Sequence, residues 1–263
     1  PRGKASRQRG HSKENRPDPI IQLGLFLDAD GIPVSYRLFD GNVPDTSTLP
    51  TVLGEFKTAF DCPRIVVVAD KAMNTKPNLG ALHTAGDGWI VSASARTADA
   101  TLRTWLLDPV GWTGDHTSRT KSMIVTRALP VTMFGVDNVP KNVPEKIVAR
   151  WSADAAERDA HTRADILARA EALAADEARY RASNKRGVKK YITSETIDPA
   201  TGEITSSRET SLSVDRARAA AEARFDGYQL IRTSETDLAD QAILDRYHQL
   251  WRIEQTFRVS KTD

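Results

Sequence analysis

Ile65-Val66-Val67-Val68-Ala69-Asp70 is the stretch on which the fold turns. An unbroken β-branched and apolar run of this kind is the pattern of a strand buried on both faces. Asp70 stands at its carboxyl edge, where open α/β sheets carry ligand chemistry. An Asp in that position also serves commonly as a turn or helix cap. Working outward, Ile20 to Leu27 and Val34 to Phe39 flank the turn Asp28-Ala29-Asp30-Gly31 and predict a hairpin. The polar stretch Gly41 to Thr48 then leads into a helix with Leu49, Leu53, Phe56 and Phe60 on one face. Beyond Asp70, a short helix through Leu79 and Leu82 precedes a strand from Trp89 to Ser92. The resulting β-β-α-β-α-β order predicts a mixed α/β sheet.

The composition then changes. Residues 96–225 carry Pro and Gly punctuation up to Pro144, followed by an Ala-, Arg- and Glu-rich stretch to about Arg186. We read this as an insertion, partly helical and partly β. Ile147, Val148, Trp151 and Ala155, then Ile166, Leu167, Ala170, Leu173 and Ala174, recur at helical spacing, and residues 190–212 predict strands around the turn Pro199 to Gly202. After Asp226-Gly227, Tyr228 to Ile231 reads as a core strand, and a helix is expected from Ile243 to about Ser260. The organisation is thus a basic arm (1–19), a first core segment (20–95), the insertion (96–225) and a second core segment (226–263).

On that last helix, Glu254 falls inside the apolar stripe of Ile243, Tyr247, Leu250, Trp251 and Phe257. Burying an unpaired carboxylate costs several kcal/mol, so the position calls for a cation. A salt bridge to Arg258 or Lys261 would meet the need, and so would a metal ion. A strand-end Asp and a helix-face Glu separated by an insertion form the constellation that two-metal phosphoryl transfer requires. Hard oxygen ligands of this type suit Mg²⁺ or Mn²⁺.

Other features narrow the classes. The lone Cys62 excludes an internal disulfide framework and a cysteine zinc site, and a reducing cytoplasmic setting is the simplest expectation. The five histidines show no metal-ligand spacing. The formal charge of +2 leaves nucleic-acid binding to local patches, of which Arg2, Lys4, Arg7, Arg9, Lys13 and Arg16 form one. That arm reads equally well as a solvated linker, since no aromatics interleave it. No apolar run is long enough to span a bilayer, and a membrane partner is not expected.

Several motifs resemble those of bacterial insertion-sequence DDE transposases, of the superfamily typified by insertion sequence four. They are the segment Gly10 to Asp18, Gly31-Ile32-Pro33, Gly41-Asn42-Val43-Pro44-Asp45, Val68-Ala69-Asp70, and Tyr247 to Lys261. The last follows the superfamily spacing of Tyr, Arg, Glu and Lys at Tyr247, Glu254 and Lys261, with Leu250 in the Arg place. Arg252 and Arg258 are the candidates to substitute for that Arg.

The resemblance implies a ribonuclease-H-like fold with a large insertion before the last catalytic helix. It implies Asp70 and Glu254 as the second and third catalytic, metal-ligating carboxylates, with Mg²⁺ or Mn²⁺ as cofactor. The first Asp should precede residue 10, yet residues 1–9 contain no Asp. We therefore expect a chain truncated at both ends and a fragment inactive alone. Tyr247 and Lys261, with Arg252 and Arg258, are the implied DNA contacts. The implied partners are the terminal inverted repeats and target double-stranded DNA, engaged as a homodimer in the bacterial cytoplasm at the nucleoid. In such enzymes the insertion helps hold transposon-end DNA, sometimes with an aromatic stacked on a displaced base. Trp105, Trp112 and Trp151 are the available aromatics, and we read them as core. A non-catalytic DNA-binding remnant and a general nuclease of the same fold are the competing functions.

Overall fold

The computed structural model describes residues 21–27, 33–40, 45–133, 135–184, 186–197 and 209–250. Side-chain surroundings are described from residue 53 onward, leaving aside 195–197 and 209–211. The chain divides into two compact units. One comprises Pro1–Ala93, Ser122–Val148 and Ile231–Asp263, the other Ser94–Lys121 and Ala149–Leu230.

The first unit opens with the expected hairpin: β1 (Ile21–Leu27) pairs antiparallel with β2 (Pro33–Asp40) as a two-stranded sheet, Ile21 opposite Asp40. The turn at Asp28 to Gly31 lies outside the described residues. Then follow α1 (Asp45–Phe60), β3 (Val66–Ala69), α2 (Lys76–Thr84) and β4 (Gly88–Ala93). β3 and β4 run parallel, with Val66 opposite Gly88 and Ala69 opposite Val91. Parallel neighbours need a crossover, which α2 supplies. Its start is written in the sequence, since Thr75 Oγ1 accepts from the Asn78 N–H and Pro77 sits in the first turn.

A six-stranded sheet has the order β3-β4-β10-β7-β6-β5, with β5 (Thr113–Gly114), β6 (Ser118–Met133), β7 (Val136–Ser152) and β10 (Tyr228–Thr233). Within the first unit the pleat divides β3 and β4 between two cores. Val67, Ala69, Trp89 and Val91 pack with Leu53 of α1 and with Leu79 and Leu82 of α2. Val66, Val68 and Ile90 pack on the opposite face with Ile243 and Leu244 of α8 (Asp240–His248). β3 therefore meets apolar partners on both faces, as its β-branched run requires, while standing at the end of the strand order. Gly80 lets α2 approach β6 closely: a Cβ there would lie 1.8 Å from the Pro130 carbonyl oxygen. β5 pairs only with Arg119 and Thr120, so most of β6 has a free edge among the described strands. A free edge tolerates Pro130, which has no N–H to donate.

One expectation needs correction. Ile147, Val148 and Trp151 do not share a helix with Ala155, because β7 runs to Ser152 and α4 (Ala153–Ala174) starts one residue later. Val143, Glu145 and Ile147 are buried at alternate positions, a strand period that the fortuitous spacing of apolar residues concealed. Ser152 marks the switch, its hydroxyl accepting from the Ala155 N–H at 3.3 Å.

In the second unit, α3 (Ala100–Leu107) is capped by Asp99, whose Oδ1 accepts from the Leu102 N–H. α4 packs with α5 (Glu177–Ala182), α6 (Arg186–Lys189), β8 (Ile192–Ile197), β9 (Glu209–Val214) and α7 (Arg216–Ala223) around Ala170, Leu173, Val188, Tyr191, Ile192 and Ala219. β8 and β9 are antiparallel, Ile192 opposite Val214, as expected for residues 190–212, whereas the turn at 199–202 lies outside the described residues. Asp226 gathers this unit's Arg96 and Arg163, and the Trp151 indole donates to its carbonyl at 3.1 Å.

Candidate active site

Two acidic residues bracket the parallel β3–β4 pair, in opposite environments. Asp87, just before β4, is a structural acid. Its side chain is 1% exposed, Lys57 Nζ lies 2.7 Å from Oδ1, and the Ile65 N–H donates to the same oxygen at 2.9 Å. Asp70, at the carboxyl end of β3, is exposed. Its Oδ1 accepts from the Ala72 N–H at 2.8 Å and so caps the 3-10 turn Lys71–Met73. Its Oδ2 has no hydrogen-bond or ionic partner among the described residues. Asp70 is thus the turn cap and, among the described residues, a carboxylate with one oxygen unpaired at the sheet edge.

A polar network stands behind this turn. Asn74, the residue that ends it, donates from Nδ2 to the Ser92 carbonyl at 3.0 Å. Its Oδ1 accepts from Arg127 Nη1 of β6 at 2.8 Å. Arg127 Nη1 in turn lies 3.5 Å from Oε1 of Glu145, which is fully buried on β7. Arg232 of β10 donates to Glu145 Oε2 at 3.0 Å. Burial pushes the Arg127 guanidinium below its usual value and Arg232 adds repulsion, while the Glu145 carboxylate opposes both. One carboxylate shared by two guanidiniums satisfies the acid and leaves the cluster formally positive. Asn74, Arg127 and Glu145 were missed in the sequence. The available signal was Glu145 itself, an acid at an inward position of the alternating run Val143, Glu145, Ile147.

Of the residues expected to bind DNA or metal, Tyr247 is described besides Asp70. It lies half-buried on α8, packed against the cluster of Ile90, Val148, Ile231, Ile243 and Leu244 that also receives Val66 and Val68 of β3. The strand that ends in Asp70 and the helix that carries Tyr247 are therefore in contact. Arg252, Glu254, Arg258 and Lys261 lie outside the described residues, as does Asn42. Among the described residues no group of three His, Cys, Asp or Glu side chains could hold a metal ion. The donor chemistry of Asp70 nonetheless fits a hard divalent cation: an exposed carboxylate with one oxygen unpaired among the described residues.

In the second unit, Trp105, Trp112 and Trp151 form a ladder with two cations. Lys121 Nζ lies 4.6 Å from the Trp105 ring centre and 4.8 Å from that of Trp112. The Arg119 guanidinium lies 5.2 Å from Trp112 and 4.8 Å from Trp151. These half-buried rings are engaged by protein cations, a structural use of the indole face. The same unit holds a cleft of about 640 Å³ between α3 and α7, whose lining includes Arg96, Arg103, Arg218 and Arg224. Arg96 pairs with Asp159 and Asp226, and Arg218 with Glu222. Arg103 and Arg224 are exposed and have no acidic partner among the described residues.

No helix among the described residues is long and apolar enough to cross a membrane. Comparison with curated proteins and with solved structures gives no match. A family model described as the transposase DDE domain matches residues 2–263. The mixed, mostly antiparallel six-stranded sheet with its helices is consistent with the ribonuclease-H-like fold of that family. With nearly its whole length matched, the chain belongs to the transposase DDE domain family.

Proposed function

We propose that this transposase domain catalyses metal-dependent DNA strand cleavage and strand transfer at the ends of a bacterial insertion sequence of the insertion-sequence-four superfamily. Asp70 and Glu254 are its metal-ligating carboxylates in this reading. The observation that carries it is Asp70 itself, an exposed acid at the carboxyl end of a parallel core strand, with one oxygen unpaired among the described residues. Packing of α8 on β3 and β4 supports the pairing, since Glu254 follows Tyr247 by seven positions in the chain.

When bound, Mg²⁺ or Mn²⁺ supplies activation of the attacking water or 3′-hydroxyl and neutralises charge on the leaving oxygen. The protein's part is to hold its carboxylates and align the phosphodiester. The cap from Ala72 keeps one Asp70 oxygen fixed. Tyr247, Arg252, Arg258 and Lys261 serve as phosphate contacts, a hydroxyl and three cations suited to backbone oxygens. The insertion, residues 96–225, adds a second DNA contact. Its support is the cleft with Arg103 and Arg224, whose chemistry suits a phosphodiester backbone. The partners are terminal inverted repeats and target DNA, bound by a homodimer at the bacterial nucleoid.

The test is cleavage of duplexes ending in the element's inverted repeats, in Mn²⁺, by this chain and by one extended with whatever reading frame precedes it. Cleavage at the repeat ends that disappears in D70N and E254Q supports the assignment. Cleavage indifferent to the repeats would transfer it to a general nuclease, and end binding with no cleavage by either chain would leave a DNA-binding remnant.

A further inference from the structure

The turn that carries Asp70 is held by groups that lie far along the chain. Asp70 accepts from Ala72 N–H through its side chain and from Met73 N–H through its carbonyl at 3.2 Å, and Asn74 N–H closes on Lys71 at 3.2 Å. Those bonds fix the turn internally and leave its attitude to the sheet undetermined. Met73 packs on the core shared by α2 and β4, and Asn74 adds the polar tie to the sheet. Its amide spans from the Ser92 carbonyl on β4 to the Arg127 guanidinium on β6. Ser92 directly follows Val91, the partner of Ala69 in the parallel register, so this clasp crosses the strand ends beside Asp70.

Arg127 is a rigid anchor for that clasp because its other contact is Glu145. A fully buried carboxylate also held by Arg232 and by the Trp89 indole at 3.2 Å has little freedom to move. The same nitrogen, Arg127 Nη1, faces both Asn74 Oδ1 at 2.8 Å and Glu145 Oε1 at 3.5 Å, so displacing it disturbs both contacts together.

We propose that Arg127, anchored on Glu145, is a positioning residue for Asp70. Acting through Asn74, it sets the angle at which the free Asp70 oxygen is offered to a divalent cation. This rests on the reading of Asp70 as a metal ligand. Partners of this sort orient the groups that touch a metal and change its affinity without touching it.

The experiment is a Mn²⁺ titration followed by electron paramagnetic resonance on the purified chain, with D70N, N74A, R127K and R127M. Circular dichroism and thermal midpoints would count the folded fraction. D70N loses the tightest site. N74A, which leaves the Arg127–Glu145 pair whole, weakens Mn²⁺ about tenfold per folded molecule, within the range typical of groups behind a metal ligand. R127M weakens it similarly in whatever fraction folds, R127K recovers part of the loss, and N74A combined with R127M is no weaker than either alone. If N74A is folded and binds Mn²⁺ as tightly as the parent while D70N does not, the positioning role is wrong and the metal reading survives. If the parent binds no Mn²⁺, or D70N binds it unchanged, the metal reading fails and the positioning role goes with it.

Discussion

The Trp89 indole N–H donates to Glu145 Oε1 at 3.2 Å, joining the largest fully buried ring of the first unit to its fully buried acid. Trp89 is the second residue of β4 and Glu145 lies on β7, so a single bond ties a parallel strand to a long hairpin strand. Two guanidiniums complete the acid's shell. Such a cluster is a keystone for the first unit because no member can be removed without leaving another unsatisfied.

Replacing Glu145 by Ala leaves Arg127 and Arg232 facing each other with no acid between them. The expected loss is about 3 kcal/mol, on the scale of breaking a buried ion pair. Urea denaturation of E145A against the parent measures it, and an unchanged midpoint would contradict the role given to this acid.

Gly80 tests the closeness of α2 and β6. A methyl group added there meets the Pro130 carbonyl, a backbone atom that cannot swing aside. G80A is expected to destabilise by about 1–3 kcal/mol, the usual cost of overpacking, despite the better helix propensity of Ala. A thermal midpoint at or above the parent's would show that the helix shifts freely.

Asp70 separates folding from chemistry. Asn caps as well as Asp, so D70N should stay within about 0.5 kcal/mol of the parent. In the proposed reading, Mn²⁺ binding at the tightest site is lost in the same variant. A large stability loss would mark Asp70 as chiefly structural.

Asp115 supplies a pH signature. The Thr117 hydroxyl, the Ser118 N–H and the Thr117 N–H hold its carboxylate down at about 2, from an ordinary 3.8. A carboxyl depressed by folding adds stability above its unfolded value and loses it as pH falls through the folded one. That contribution is complete above about pH 4 and fades toward pH 2. NMR titration of the Asp115 side chain should give a midpoint near 2, and T117A should raise it.

Arg103 and Arg224 test the second DNA contact. If each neutralises one phosphate, R103A/R224A lowers the steepness of affinity against salt by about two, at roughly 0.9 per contact. Filter binding or anisotropy across salt concentrations measures this slope, and an unchanged slope removes the cleft from the interface.

Much of the first unit was readable because its residues obey simple periods. Ile65 to Ala69 reads as a strand, and Leu79 and Leu82 signal the short helix that is α2. Asp70 was readable from its place at the end of that run. β6 and β7 were hidden because Pro130, Pro140 and Pro144 suggest loops, while the neighbours Ile147, Val148 and Trp151 imitate a helical stripe. The open edge of β6, which accommodates Pro130, is a property of the assembled sheet. Arg127 and Asn74 were invisible for a related reason: their partners lie 53 residues apart, and neither residue type signals its role locally. The family motif at Glu254 gave the rest of the candidate site, beyond what spacing alone distinguishes from a salt bridge.

The capping bond from Ala72 to one Asp70 oxygen has an evolutionary corollary. An amide oxygen can accept the same bond, and one base change converts an Asp codon to an Asn codon. Under the role proposed for Asp70, copies of such an element would fall silent while their protein still folds, and would compete with active copies for the same ends.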